Sequence, residues 1–230
     1  MNISFRKGNL IHLLISTLIY VSGVVTIPLM ILPYVANEQK INVLILTSFI
    51  AVLLLSIYSF YAKNSIDKNE NKISFIQAIL LGILGFLALL FLQGTLNILL
   101  QKLNLNSTSN NTTNIIKIIN NSPLFIGYVI FLGPILEELF FRKALFGYLY
   151  DIFEDSSKFI RFFIPSLITG IAFALPHDGI SPIMIIYIIM SFVFSFMYVK
   201  TKRIIAPMTA HILMNSLVVL AQVLASQLSV

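Results

Sequence analysis

GPILEELFFRKALFG, residues Gly133–Gly147, is the stretch whose reading decides the fold of this chain. Two adjacent carboxylates, Glu137 and Glu138, stand inside an apolar run, and Arg142 follows them. The run extends from Pro123 to Tyr150, longer than the roughly 20 apolar residues a helix needs to cross a bilayer. A charge at that depth costs about 2.5–3.5 kcal/mol even on the lenient insertion scale. The chain has nine acidic residues in all, so setting two side by side here is selective. Ionisable residues in a membrane segment mark a functional site by default. On a helix, Glu138 and Arg142 stand at i,i+4 on one face and pair, while Glu137 points about 100° away. This predicts one neutralised, structural carboxylate and one free to act. The competing reading is a buried network of all three charges that only holds helices together.

Outward from this stretch the chain stays apolar. Of its 230 residues, 58% are hydrophobic and 10% charged, and its mean hydropathy is +0.94; a soluble domain carries about 25% charged residues. Apolar blocks run over Leu10–Val35, Ile41–Ala62, Ile73–Leu100, Pro123–Tyr150, Phe159–Leu175, Pro182–Val199 and Ile204–Leu224. Each is near spanning length. The expected fold is therefore an all-α, polytopic transmembrane helical bundle of about seven membrane-spanning helices. Block 1 is too long for the apolar core of a signal peptide and reads as a retained helix, kinked near Pro28 and Pro33. Residues 1–100 form an N-terminal helical portion, 101–122 a polar loop and 123–230 the portion carrying the polar cluster. The loop, LNLNSTSNNTTNIIKIINNS over 103–122, reads as exposed and mobile. It holds two glycosylation-type triplets, Asn106-Ser107-Thr108 and Asn111-Thr112-Thr113, a pattern common by chance.

Lysine and arginine give the orientation. With the N-terminus inside, twelve of the fifteen basic residues fall on the cytoplasmic side, Arg142 among them, and Lys40, Lys102 and Lys117 fall outside. That is the positive-inside pattern, and it predicts a multi-pass cell-membrane protein with a cytoplasmic N-terminus, its partners the lipid bilayer and no nucleic acid. The absence of cysteine excludes disulfides and thiolate metal sites.

The last three blocks carry the remaining polar residues. Block 5 ends in GIAFALPHDG with His177, and block 7 holds APMTAHILMN with His211 and Asn215 at i,i+4. His12, near the start of block 1, reads as an ordinary satisfied side chain. At 1.5 Å per residue, His211 lies roughly 12 Å from the cytoplasmic end of its block, and Glu137 lies roughly 8 Å from a snorkelling Arg142/Lys143 pair. His177 reaches a comparable depth, about 18 Å, if its helix starts at Pro165. Pro176, Gly179 and Pro182 are then expected to break the chain near His177, inside protein or a water-filled cavity. On these depths the site leans toward the cytoplasm.

Taken together, Glu137-Glu138-Leu139-Phe140-Phe141-Arg142, Phe173-Ala174-Leu175-Pro176-His177 and His211-Ile212-Leu213-Met214-Asn215 resemble the EExxxR, FxxxH and HxxxN motifs of the CPBP family. These are the CAAX proteases and bacteriocin-processing enzymes also called Abi proteins. The resemblance covers roughly Pro123 to Leu224 and implies an intramembrane endopeptidase acting on a peptide or protein at the membrane. By position, Glu137 is the base that activates water, assisted by His177; His211 and Asn215 hold the oxyanion; Glu138 and Arg142 form the supporting pair; Phe173 shapes the site. A histidine and an asparagine amide on one face can donate to developing negative charge. Glu137, His177 and His211 also make a ligand set of catalytic zinc type, so Zn2+ or another divalent metal stays open; no HExxH run is present. Two rivals compete with the endopeptidase. One is a proton-coupled transporter, which would show symmetry between halves. The other is a non-enzymatic membrane protein of bacteriocin immunity or regulation with the same fold. The short chain and its polar outer loop look bacterial.

Overall fold

The apolar blocks become helices. The computed structural model describes residues 8–105 and 108–228, and every regular element among them is helical. We label α1 Leu10–Tyr34, α2 Asn37–Tyr61, α3 Phe75–Lys102, α4 Asn110–Asn121, α5 over 125–152, α6 Lys158–Asp178, α7 Met184–Thr201 and α8 Ile205–Leu228. Six of them (α1, α2, α3, α6, α7 and α8) are long and apolar enough to cross a membrane. The block expected as a further crossing is α5, an unbroken helical path that changes winding along its length and is not among those six. Large apolar side chains such as Leu18, Phe60 and Phe91 stand outward and exposed, an arrangement that lipid satisfies and water does not.

Helix ends follow the local sequence. Asn9 caps α1 by accepting from the His12 backbone N–H. Ser74 and Gln77 form a capping box at the start of α3, so two free N–H groups are satisfied reciprocally. His12 is satisfied as expected, 2.6 Å from the Tyr58 hydroxyl. In α1 a wide π-type turn, Ser22–Thr26, precedes Pro28; proline lacks the N–H and crowds the preceding turn, which such a bulge relieves.

Three expectations need correction. The stretch read as a mobile loop contains α4, a helix capped by the Ser109 hydroxyl, which accepts from the Thr112 N–H. Its Ile115, Ile118 and Ile119 pack against Phe125 and Val129, so burial on one face overrides a polar composition. Asn111-Thr112-Thr113 lies in its first turns, while Asn106-Ser107-Thr108, like Arg6 and Lys7, is not wholly among the described residues. Next, α6 starts at Lys158, capped by Ser157, not at Pro165, and runs through Pro176 to Asp178. It stops at Gly179, at φ 61° and ψ −152°, a region only glycine occupies without strain. Finally, Arg142 does not snorkel to the cytoplasmic end: its exposure is 0%.

The Lys/Arg-rich end of the bundle is tied by polar contacts. Asn64, between α2 and α3, donates to the Lys143 carbonyl at 2.9 Å and to the Tyr198 hydroxyl at 3.0 Å. Tyr198 in turn donates to Asp67, which pairs with Lys143 at 3.3 Å. The opposite end, where α3 joins α4 and α6 joins α7, is hollow.

Candidate active site

Glu137 and Glu138 sit on α5 where its winding changes: Gly133–Glu137 is α-helical and Glu138–Phe146 is wound as a π-helix. Such wide turns are rare and concentrate at functional sites. The upstream wide turn, Tyr128–Leu132, has a local cause. The Gly133 N–H bonds to the Tyr128 carbonyl, and in that register the Val129 carbonyl faces Pro134, which has no N–H to offer. Asn215 on α8 supplies the missing donor, its Nδ2 donating to the Val129 carbonyl at 2.8 Å. One of the amide's two hydrogens is thereby used in joining α8 to α5.

The two carboxylates meet on one imidazole. His211 is 2% exposed; its Nδ1 lies 2.9 Å from Glu138 Oε1 and its Nε2 lies 3.6 Å from Glu137 Oε2. The carboxylates do not address separate surroundings, as simple helical spacing predicts, but straddle one ring. They differ in access: the Glu138 side chain is fully buried, and that of Glu137 is 22% exposed. Glu138 also pairs with Arg142 at 3.3 Å, as the i,i+4 spacing predicts. This contact has the distance of an ion pair without hydrogen-bond alignment. The guanidinium lies between two rings, 4.3 Å from the centre of Phe173 and 4.9 Å from that of Phe194. Cation–π attraction gains strength in such a desolvated place.

His177 ends α6. Its Nδ1 is 2.7 Å from the Phe173 carbonyl; a carbonyl only accepts, so Nδ1 carries the hydrogen and Nε2 is left as the acceptor of the neutral ring. The ring lies between Phe173 and Tyr187, with centroids at 4.7 and 4.6 Å. Glu137, Phe173, His177, His211 and Asn215 all line one cavity of about 950 Å³. The structure therefore brings the four expected catalytic residues and Phe173 to a single space, with Glu138 and Arg142 behind its wall. Among the described residues, no three histidine or acidic side chains are grouped so as to hold a metal ion. Glu137, His177 and His211 do not form such a group in this arrangement.

Two contributors escaped the sequence. Phe194 on α7 stacks on His211, centroids 5.0 Å apart and planes 24° apart, and Tyr187 covers His177. Both are aromatic residues in apolar helices, where no local signal separates them from lipid-facing neighbours. The expected cytoplasmic lean rests on depth along the helices; the direction in which the cavity opens is set by its walls. Its walls include Gln101 on α3, Asn111 and Asn114 on α4, and Gln222 on α8, so it opens at the end of the bundle opposite the Lys/Arg-rich connections.

Residues 119–217 match the family described as Type II CAAX prenyl endopeptidase Rce1-like. The candidate membrane peptidase YdiL of Bacillus subtilis (strain 168) is 37% identical over 178 residues, covering 76% of this chain and 69% of that protein. The membrane-embedded CAAX protease MroQ of Staphylococcus aureus (strain USA300) is 35% identical over 143 residues, 62% of this chain and 57% of that protein. The UPF0177 protein YaiH of Lactococcus lactis subsp. lactis (strain IL1403) is 32% identical over 93 residues, 40% of this chain and 35% of that protein. No solved structure matches at a comparable level. With its three motifs assembled around one cavity, the chain belongs to the CAAX protease family, in its Rce1-like branch.

Proposed function

We propose that this chain is an intramembrane endopeptidase that hydrolyses a peptide bond of a membrane-associated peptide or protein, using water activated by Glu137. The observation that carries the reading is the division of roles around His211. Glu138, buried and paired with Arg142, holds Nδ1, and Glu137, open to the cavity, meets Nε2. A carboxylate so oriented takes a proton from water as the water oxygen bonds to the substrate carbonyl carbon. His177 Nε2, the free edge of its ring, accepts from the same water and fixes its direction. The second N–H of the Asn215 amide is available to the oxyanion. Glu137 then gives its proton to the amine nitrogen as the C–N bond breaks. His211 acts as the positioning residue between the carboxylates, a narrower part than the oxyanion donor expected of it.

The test is cleavage of a quenched peptide library by the purified protein in detergent. Glu137→Ala is expected to lose at least about a hundredfold in rate, the lower bound for removing a general base, and a chelator is expected to leave the wild type unchanged. Cleavage that persists in Glu137→Ala defeats the proposal. A wild type that cuts nothing, beside a Glu137→Ala protein that keeps its cellular role, moves the reading to a non-enzymatic immunity or regulatory partner.

A further inference from the structure

Helix α3 is apolar along most of its length, yet Gln93, Asn97 and Gln101 stand at i, i+4 and i+8, on one face, and all three line the catalytic cavity. An amide turned toward lipid or an apolar core without a partner is costly. The Asn97 Oδ1 atom is buried with no hydrogen-bond partner. The residue itself lines the cavity, so its amide is at hand for a group entering there.

The spacing names the donor. Residues four apart on a helix rise about 6 Å, and alternate residues of an extended peptide repeat about every 6.6 Å. Three amides in a row therefore match successive backbone groups along one edge of an extended chain, whatever its side chains. The stripe also points at the chemistry. Gly82 lets α3 approach α8 so closely that a Cβ there would lie 2.6 Å from the Ala206 carbonyl and 2.7 Å from Thr209 Cβ. Counting from that contact along both helices, Gln93 lies roughly 10 Å nearer the mouth than His211. The stripe then continues for another 12 Å or so to Gln101 at the rim. Across the space stand Asn111 and Asn114 of α4.

We propose that Gln93, Asn97 and Gln101 form a track that reads the backbone of the substrate. The substrate is then a peptide segment held extended, entering from the α4 end, with about seven residues on one side of the scissile bond: roughly four along the stripe and three down to Glu137. Specificity would come from an unfolded, backbone-exposed segment rather than from one side chain. This inference rests on the peptidase reading of the site, and binding tests it apart from catalysis.

The experiment uses the full chain carrying Glu137→Gln and a pool of fluorescein-labelled decapeptides of uncharged residues, compared by anisotropy with the same pool N-methylated at every second backbone nitrogen. In Glu137→Gln, methylation is expected to weaken binding about threefold to tenfold, the range of one or two backbone hydrogen bonds. Adding Asn97→Leu, a change a membrane helix tolerates, is expected to weaken the unmethylated pool by a similar factor and to shrink the effect of methylation. Gln101→Leu, at the rim, gives the same pattern more weakly. Equal loss on methylation with and without Asn97→Leu, or no binding to Glu137→Gln, overturns the track. Cleavage by the wild-type protein is scored separately, so peptidase activity without backbone reading, and backbone reading without peptidase activity, give different results.

Discussion

Arg142 carries a full charge at 0% exposure, and what balances it is one carboxylate and two aromatic faces. Removing one member of a buried pair leaves an uncompensated charge and costs about 3–5 kcal/mol, whereas replacing both with apolar residues of similar volume is often nearly neutral. Arg142→Leu and Glu138→Leu are each expected to lower the thermal midpoint in detergent sharply, and Glu138→Leu/Arg142→Leu to recover most of that loss. Activity should not return with stability, because Glu138 also holds His211 Nδ1 at 2.9 Å. A double variant as unstable as the two losses added together would show that the residues act independently. Arg142→Lys is expected to fall short as well, since a lysine lacks the planar cation that fits between Phe173 and Phe194.

At the scale of elements, α4 is latched to the end of α6 by one side chain. Asp178 accepts from the Ser109 hydroxyl at 2.6 Å, from the backbone N–H groups of Asn110 and Asn111 at 2.6 and 3.1 Å, and from the Tyr187 hydroxyl at 2.9 Å. It follows His177 directly, so the residue beside this cavity-lining histidine also holds the helix at the cavity mouth. Asp178→Ala leaves those donors unpaired at a helix start, an effect of about 1 kcal/mol for a lost cap. Hydrogen exchange across Asn110–Asn121 should accelerate about fivefold, with α7 and α8 unchanged. Unchanged protection of α4 would mean that its packing on Phe125 and Val129 holds it without the latch. The winding of α5 belongs to this scale too: Pro134 removes a donor, the turn before it widens, and Asn215 fills the gap.

The whole molecule has two unlike ends. One carries the ties among Asn64, Asp67, Lys143 and Tyr198, and the other holds α4 and the mouth of the cavity. Because the chain contains no cysteine, single cysteines report orientation without background. If the positive-inside pattern sets the topology, Asn114→Cys on α4 reacts with a membrane-impermeant maleimide in intact cells. Glu70→Cys, between α2 and α3, then reacts only after permeabilisation. The reverse labelling would place the cavity mouth in the cytoplasm and the N-terminus outside.

Much of this was written in one dimension. A helix that crosses lipid must satisfy its own backbone and present apolar residues throughout, so contiguous blocks announce the bundle. Within such blocks a charge or imidazole is costly enough to flag itself; hence Glu137, Glu138, Arg142, His177, His211 and Asn215 stood out by type and position. The i,i+4 pair of Glu138 with Arg142 was legible for the same local reason. The tertiary structure alone decided that both carboxylates share one imidazole, 73 positions from Glu138, that Phe194 stacks on it, that α4 is a helix, and that the cavity opens beside it. Lipid is as apolar as a protein core, so the apolar faces of these helices carry no mark of which side looks inward. Only packing assigns them.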